Sequence, residues 1–147
     1  MRIAFDIGGV ISKYPEEFRA VMAAFEAMGH TNILITDMPN KSEILEILRL
    51  NDVLVPEDLV FCADHAIYGE MCKAVLLKEL QVDLFIDDFL GYLAWDSRFG
   101  SAPIRLMVMP DASKPYWHDS WRVPTDCNFG RRKYIDGSTL SPQSGSD

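Results

Sequence analysis

The sequence predicts an α/β domain: a Rossmann-like parallel sheet of about five strands with helices on both faces. Three observations lead there. Short apolar runs alternate along the chain with stretches whose apolar residues recur at helical spacing. The runs are continuous rather than alternating, as in strands buried on both faces. Two of them end in carboxylates: Ile3-Ala4-Phe5-Asp6, followed by Ile7-Gly8-Gly9-Val10, and Leu84-Phe85-Ile86-Asp87-Asp88. In an open parallel sheet, ligands bind outside the carboxyl ends of the strands. Two buried strands that each end in Asp therefore point to carboxylates converging on one metal or phosphate site.

Each element has its own signal. Residues 2–7 form the first strand. Pro15 suits the first turn of a helix, and Phe18, Val21, Met22, Phe25 and Met28 follow at three- and four-residue spacing. Gly29 is a suitable stop. Residues 32–36 read as the second strand, and residues 37–41 as a loop containing Pro39. Ser42 is a candidate N-cap for the next helix, which shows an apolar face of Ile44, Leu45, Ile47 and Leu48. After the turn at Pro56-Glu57-Asp58, residues 59–63 read as the third strand. A helix is expected from about Ala66 or Lys73 to Leu80. The fourth strand follows at residues 82–86, a short helix at 91–95 and the fifth strand at 104–109. The composition changes after Pro110. Trp117, Trp121 and Phe129 have no clear periodicity, and from about Asp136 onward Gly, Ser, Pro and Gln dominate, as in a disordered tail. The expected organisation is one domain over residues 1–135 and a polar tail over 136–147.

Bulk properties bound the function. A chain of 147 residues can bury a substantial core, and 48% hydrophobic with 24% charged residues is ordinary for a globular protein. The net charge of −8 disfavours a nucleic-acid backbone as a partner, because phosphate binding there needs clustered Lys and Arg. No apolar run is long enough for a membrane-spanning helix. Asp6 interrupts the N-terminal apolar stretch and no small-residue cleavage site follows, so no signal peptide is expected. Cys62, Cys72 and Cys127 form an odd set without metal-type spacing, which argues for reduced structural thiols and a cytoplasmic setting. His30, His65 and His118 do not cluster, so no zinc site is assigned.

Four elements stand in order: Asp6 after the first strand, Thr36 after the second, Lys73 before the fourth, and Asp87-Asp88 after it. Over residues 2–110 this order resembles the haloacid dehalogenase-like phosphohydrolase superfamily. Phe-Asp-Ile-Gly-Gly-Val is similar to its first motif and Leu-Ile-Thr to its second. The stretch from Lys73 to Asp88 is similar to its third and fourth. The resemblance implies a Mg²⁺-dependent phosphatase. Asp6 would be a nucleophile forming an aspartyl-phosphate, a carboxylate made competent by alignment and charge neutralisation. Thr36, Lys73 and Gly9 would contact the phosphoryl group, with Lys73 offsetting the crowded anions. Asp6, Asp87, Asp88 and the carbonyl of Gly8 would hold the ion. Lys78 competes with Lys73 for the lysine role, but sits late on the expected helix.

The chain departs from the family at Gly8, where most family phosphatases carry a second Asp as general acid and base. A general acid typically contributes about 10²–10⁴-fold, so this residue favours substrates with good leaving groups. Ser12, Tyr14, Asp37 and His65 are the side chains that could replace it. The alternative reading is a catalytically impaired domain that binds a phosphorylated ligand or a protein partner. Only residues 11–14 lie between the first motif and the helix that follows it, and residues 37–72 read as core elements, so no substantial cap is expected. An open site admits small or large phosphorylated substrates, or is covered by a second copy or by a partial lid at residues 111–132, which hold Trp117, His118, Trp121 and Arg122. Asp-Ile-Gly-Gly is also similar to the first phosphate loop of actin-like sugar kinases, but that fold needs a β-hairpin where Pro15 begins a helix. On the plainer readings Asp37 and Asp64 are turn or cap residues, and His65 is a surface histidine.

Overall fold

The computed structural model describes residues 1–109. The expectations for Cys127, for the segment 111–132 and for the tail lie outside them. Five strands, β1 (Arg2–Asp6), β2 (Thr31–Thr36), β3 (Val60–Cys62), β4 (Leu84–Asp87) and β5 (Ile104–Met107), form one sheet in the order β3-β2-β1-β4-β5. Every pairing is parallel. The helices are α1 (Pro15–Ala27), α2 (Lys41–Leu50), α3 (His65–Tyr68) and α4 (Cys72–Glu79). The architecture is α/β and Rossmann-like, as the apolar runs predict.

Strand residues alternate between two cores, because successive side chains leave a strand on opposite faces. Ile3, Phe5, Leu34, Leu84 and Ile86 pack with Met22 of α1 and with Ile44, Ile47 and Leu48 of α2. Ala4, Ile33, Ile35 and Phe85 pack on the other face with Cys72 and Leu77 of α4 and with Tyr92 and Leu93. Helical elements therefore cover both faces. Phe5 meets Phe18 edge-on at 5.9 Å between ring centroids, which locks α1 over β1.

The ends of α1 follow the sequence signals closely. Pro15 stands in its first turn with Glu16 and Glu17, acidic groups that suit the positive end of the helix dipole. Gly29 takes φ +84°, and the amides of Gly29 and His30 donate to the carbonyls of Glu26 and Phe25. That is the Schellman arrangement, which a residue with a Cβ resists.

Three elements correct the sequence reading. The N-cap of α2 is Asn40, not Ser42. The Asn40 carboxamide oxygen accepts from the amides of Ser42 and Glu43 at 3.1 and 3.3 Å, so the helix starts two residues earlier. Of the two starts expected for the helix ending near Leu80, Lys73 is close to the observed one, Cys72, whereas the Ala66 start falls in a separate helix, α3, joined to α4 by a 3₁₀ turn at Gly69–Met71. Gly69 separates the two helices, with φ +58° and ψ −138°, a conformation essentially confined to glycine. The short helix at 91–95 is a 3₁₀ turn at Leu90–Leu93. The strand boundaries shift by only one or two residues.

The connection from β1 to α1 is a tight turn at Ile7–Ile11, and the chain between β2 and α4 is α2, β3 and α3. Among the described residues no inserted cap domain interrupts the sheet. No helix among them is long and apolar enough to cross a membrane.

Phe5 has no exposed surface whereas Met28 is 68% exposed. Phe5→Ala should therefore cost about 3–5 kcal/mol, and Met28→Ala should stay within about 0.5 kcal/mol. Urea unfolding midpoints of the two variants check this; equal losses would contradict the packing described.

Candidate functional site

The strand order reverses direction between β1 and β4, the point where open α/β sheets bind ligands. Phe5 pairs with Ile86 in register, so Asp6 and Asp87 leave the sheet side by side at its carboxyl edge. Burial of the preceding apolar residues forces the aspartates there. Their strands have no other polar side chain to offer at that edge.

Lys73 stands between the two carboxylates. Its Nζ donates to Oδ1 of Asp6 at 2.6 Å and to Oδ2 of Asp87 at 2.7 Å. Asp6, Lys73 and Asp87 are each at most 1% exposed. A lone charge so buried is very costly, and a paired, hydrogen-bonded one is tolerated. Burial by itself pulls the Lys73 ammonium towards neutrality. The carboxylates of Asp6, Asp87 and Asp37 outweigh it and hold the lysine above its ordinary pKa. Lys73 reaches the site because it lies in the first turn of α4, on the same buried face as Ala74 and Leu77. Lys78 is five residues on, about 140° around the helix. It is exposed, with its Nζ 5.3 Å from the Phe99 ring, away from the carboxylates.

Asp88 completes an acidic group. One oxygen from each of Asp6, Asp87 and Asp88 lies within 4.8 Å of the others. Three converging carboxylates are a hard, all-oxygen donor set of the kind that Mg²⁺ takes alongside retained water. Gly9 makes room for Asp88. A Cβ at position 9 would lie 2.0 Å from its Oδ2, and Gly9 also has φ +79°. The turn is closed by the Gly9 amide, which donates to Ser12 Oγ at 2.9 Å. Gly8 precedes it in extended backbone, with φ −72° and ψ 127°.

Thr36 ends β2 one residue beyond the level of Asp6 and is fully buried. Its Oγ1 accepts from the Met38 amide at 3.2 Å, which leaves the hydroxyl proton to be donated elsewhere. Asp87 is oriented twice, since its Oδ1 accepts from the Phe89 amide at 2.9 Å while Oδ2 meets Lys73. The structure thus brings Asp6, Lys73, Asp87 and Asp88 together, and sets Gly8, Gly9 and Thr36 on the same edge of the sheet.

Sequence reasoning gave no role to Tyr92. Its ring lies 4.4 Å from Lys73 Nζ, within cation–π range, and its hydroxyl donates to Asp37 Oδ2 at 2.6 Å. Asp37, in the bend after β2, is therefore also part of the lysine's surroundings. The only hint in the sequence was an aromatic residue in the apolar stretch after Asp88. Asp64 does cap, since its Oδ1 accepts from the Ile67 amide at the start of α3. His65 is exposed, as expected, with its ring edge-on to Tyr92 at 6.4 Å. Burial pushes the Cys62 and Cys72 thiols up, which fits unreactive structural thiols.

Comparison with protein-family models, with curated proteins and with solved structures finds no match to the chain.

Lys73→Met strands two buried carboxylates and should cost about 3–5 kcal/mol. Adding Asp87→Asn should recover part of that loss, because the two groups interact directly. A group whose pKa is raised on folding contributes stability that is complete below its unfolded value and is lost only as pH climbs through the folded one. The stability gap between wild type and Lys73→Met should therefore stay level from about pH 7 to 9. Urea melts across that range test it, and a gap that shrinks steadily would contradict the ion-pair geometry.

Proposed function

We propose that this site carries out phosphoryl transfer to water, as a Mg²⁺-dependent phosphohydrolase of the haloacid dehalogenase-like type, with Asp6 as the nucleophile. One observation carries the reading: a fully buried lysine bridges the carboxylates that end two adjacent parallel strands, at the point where the strand order reverses. Open α/β sheets bind ligands at that point, and a phosphoryl group is a ligand whose charge such a lysine balances.

The roles follow from the chemistry of each group. Attack would come from Oδ2 of Asp6, the oxygen that Lys73 does not hold, and would give an aspartyl-phosphate that water then cleaves. Lys73 keeps Asp6 ionised and aligned, and its charge offsets that growing on the phosphoryl oxygens. Thr36 offers its hydroxyl proton to one of those oxygens. Asp6, Asp87, Asp88 and the Gly8 carbonyl would hold Mg²⁺, which when bound neutralises phosphoryl charge that one lysine cannot. Asp87 is fixed for that duty by the Phe89 amide and Lys73.

Gly8 offers no acid for the departing group. Ser12 accepts the Gly9 amide within the turn, so it serves the loop first. Turnover should therefore depend on leaving groups that depart without a proton from the protein. Gly8 also favours a second reading, in which the domain binds a phosphorylated ligand and does not turn it over.

Phosphate release from aryl and alkyl monoesters, with Mg²⁺ and with EDTA, separates the two. The expected result is Mg²⁺-dependent release, faster on aryl esters by at least about 10²-fold. Asp6→Asn should abolish it. Release that survives Asp6→Asn would overturn the mechanism, and binding without release would establish the second reading.

A further inference from the structure

The carboxyl edge of the sheet holds a second feature that the phosphoryl chemistry does not use. A cavity of about 390 Å³ opens between the ends of β2 and β3 and the start of α3. Its wall includes Asp37, Cys62, Ala63, Asp64, His65 and Ala66. Small-molecule sites fall in this size range, and they combine a concave wall with a few converging polar groups.

The cavity and the phosphoryl centre share a partition. Tyr92 bonds Asp37 on the cavity side and lies against Lys73 on the other. Asp37 lines the cavity and also acts on the charge of Lys73. Thr36 and Asp37 are consecutive, so the end of one strand serves both places. A phosphate ester bound at Asp6 would find this hollow beside it, and among the described residues no cap domain lies over the edge.

The lining sets the chemistry of what fits. Cys62, Ala63 and Ala66 keep the wall small. Asp37 and Asp64 place two negative charges along the wall, which attract a cation and repel a further anion. The imidazole of His65 can accept or donate at the lip. We infer that this cavity receives the leaving group of the substrate, and that the leaving group is an ammonium-bearing alcohol with no second anionic group, its ammonium giving the departing oxygen the proton that Gly8 cannot. The inference rests on the phosphohydrolase reading and names its substrate class.

The test compares three probes on the full chain with Mg²⁺: acetyl phosphate, whose leaving group is too small to need the cavity, phosphoethanolamine, and phosphoglycolate, which carries a second anion. Acetyl phosphate turnover that Asp6→Asn abolishes establishes the phosphoryl centre independently of the cavity. Wild type should then favour phosphoethanolamine over phosphoglycolate in kcat/KM by about tenfold or more. Ala66→Phe, at an exposed position of α3, narrows the hollow. It should lower kcat/KM for phosphoethanolamine about tenfold more than for acetyl phosphate. Asp64→Asn preserves a capping side chain while removing its charge, and should shrink the preference for the ammonium ester. A second readout needs no turnover: phosphoethanolamine added to Asp6→Asn should shift the His65 ring and Ala66 amide resonances. Equal losses on all probes in Ala66→Phe, a preference for phosphoglycolate, or unmoved His65 and Ala66 resonances would each overturn the inference. Loss of Asp6-dependent acetyl phosphate turnover, with the resonances still shifting, would overturn the phosphoryl reading and leave a binding cavity.

Discussion

The ammonium of Lys73, held between Asp6 and Asp87, is the contact on which the rest of the structure depends. It joins the ends of β1 and β4 to the first turn of α4, three elements that are distant in sequence. None of the three charges is tolerable alone at this depth. Two carboxylates side by side repel, and one lysine in an apolar layer loses its proton. Together they carry a net charge of −1 and are fully directed, and each one fixes the position of the others. A buried ion pair is weak evidence for stability by itself, because apolar residues of equal volume often do better. Its placement at a ligand-binding edge is what argues for chemistry.

The surrounding fold is arranged so that this edge carries polar groups and the remainder does not. Two apolar layers, one under α1 and α2 and the other under α4 and Tyr92, leave the strands no choice of register. A slip of one residue would put Phe5 and Phe85 on the wrong faces. The opposite edge is pinned as well: the Arg2 amide donates to Asp83 Oδ2 and the Arg2 guanidinium to the Leu80 carbonyl, at 2.8 and 2.6 Å. Fixed registers on both sides of β1 hold Asp6 and Asp87 level. That precision matters where a carboxylate must meet phosphorus in line.

Much of this was legible in the sequence, for physical reasons. Strands in a parallel sheet buried on both faces must be largely apolar, which exposes β1, β2 and β4 as continuous runs, and β5 shows as a largely apolar run too although its residues are exposed among the described ones. A carboxylate at the end of such a run is conspicuous, so Asp6, Asp87 and Asp88 stood out. Lys73 was legible through its spacing to the fourth strand and its early place on a helix, whereas Lys78 points the wrong way around the same helix. What stayed hidden were choices between near neighbours and contacts between distant residues. Asn40 and Ser42 are both good caps, and only the backbone path of α2 decides between them. The break between α3 and α4 depends on the ψ angle of Gly69, which composition cannot reveal. Tyr92 and Asp37 are 55 residues apart, and nothing local to either one announces the hydrogen bond. The cavity beside them is a property of packed elements and not of any single segment.

The central claim is that Asp6 becomes phosphorylated, and trapping that intermediate tests it most directly. The full chain would be incubated with acetyl phosphate and Mg²⁺, quenched in acid, and reduced with borohydride, which converts an aspartyl-phosphate to homoserine. Peptide mass spectrometry then reads the modified position. The account predicts homoserine at position 6, absent when Mg²⁺ is withheld and absent in Asp6→Asn. Turnover without any mark at position 6, or a mark at Asp87 or Asp88 instead, would contradict it.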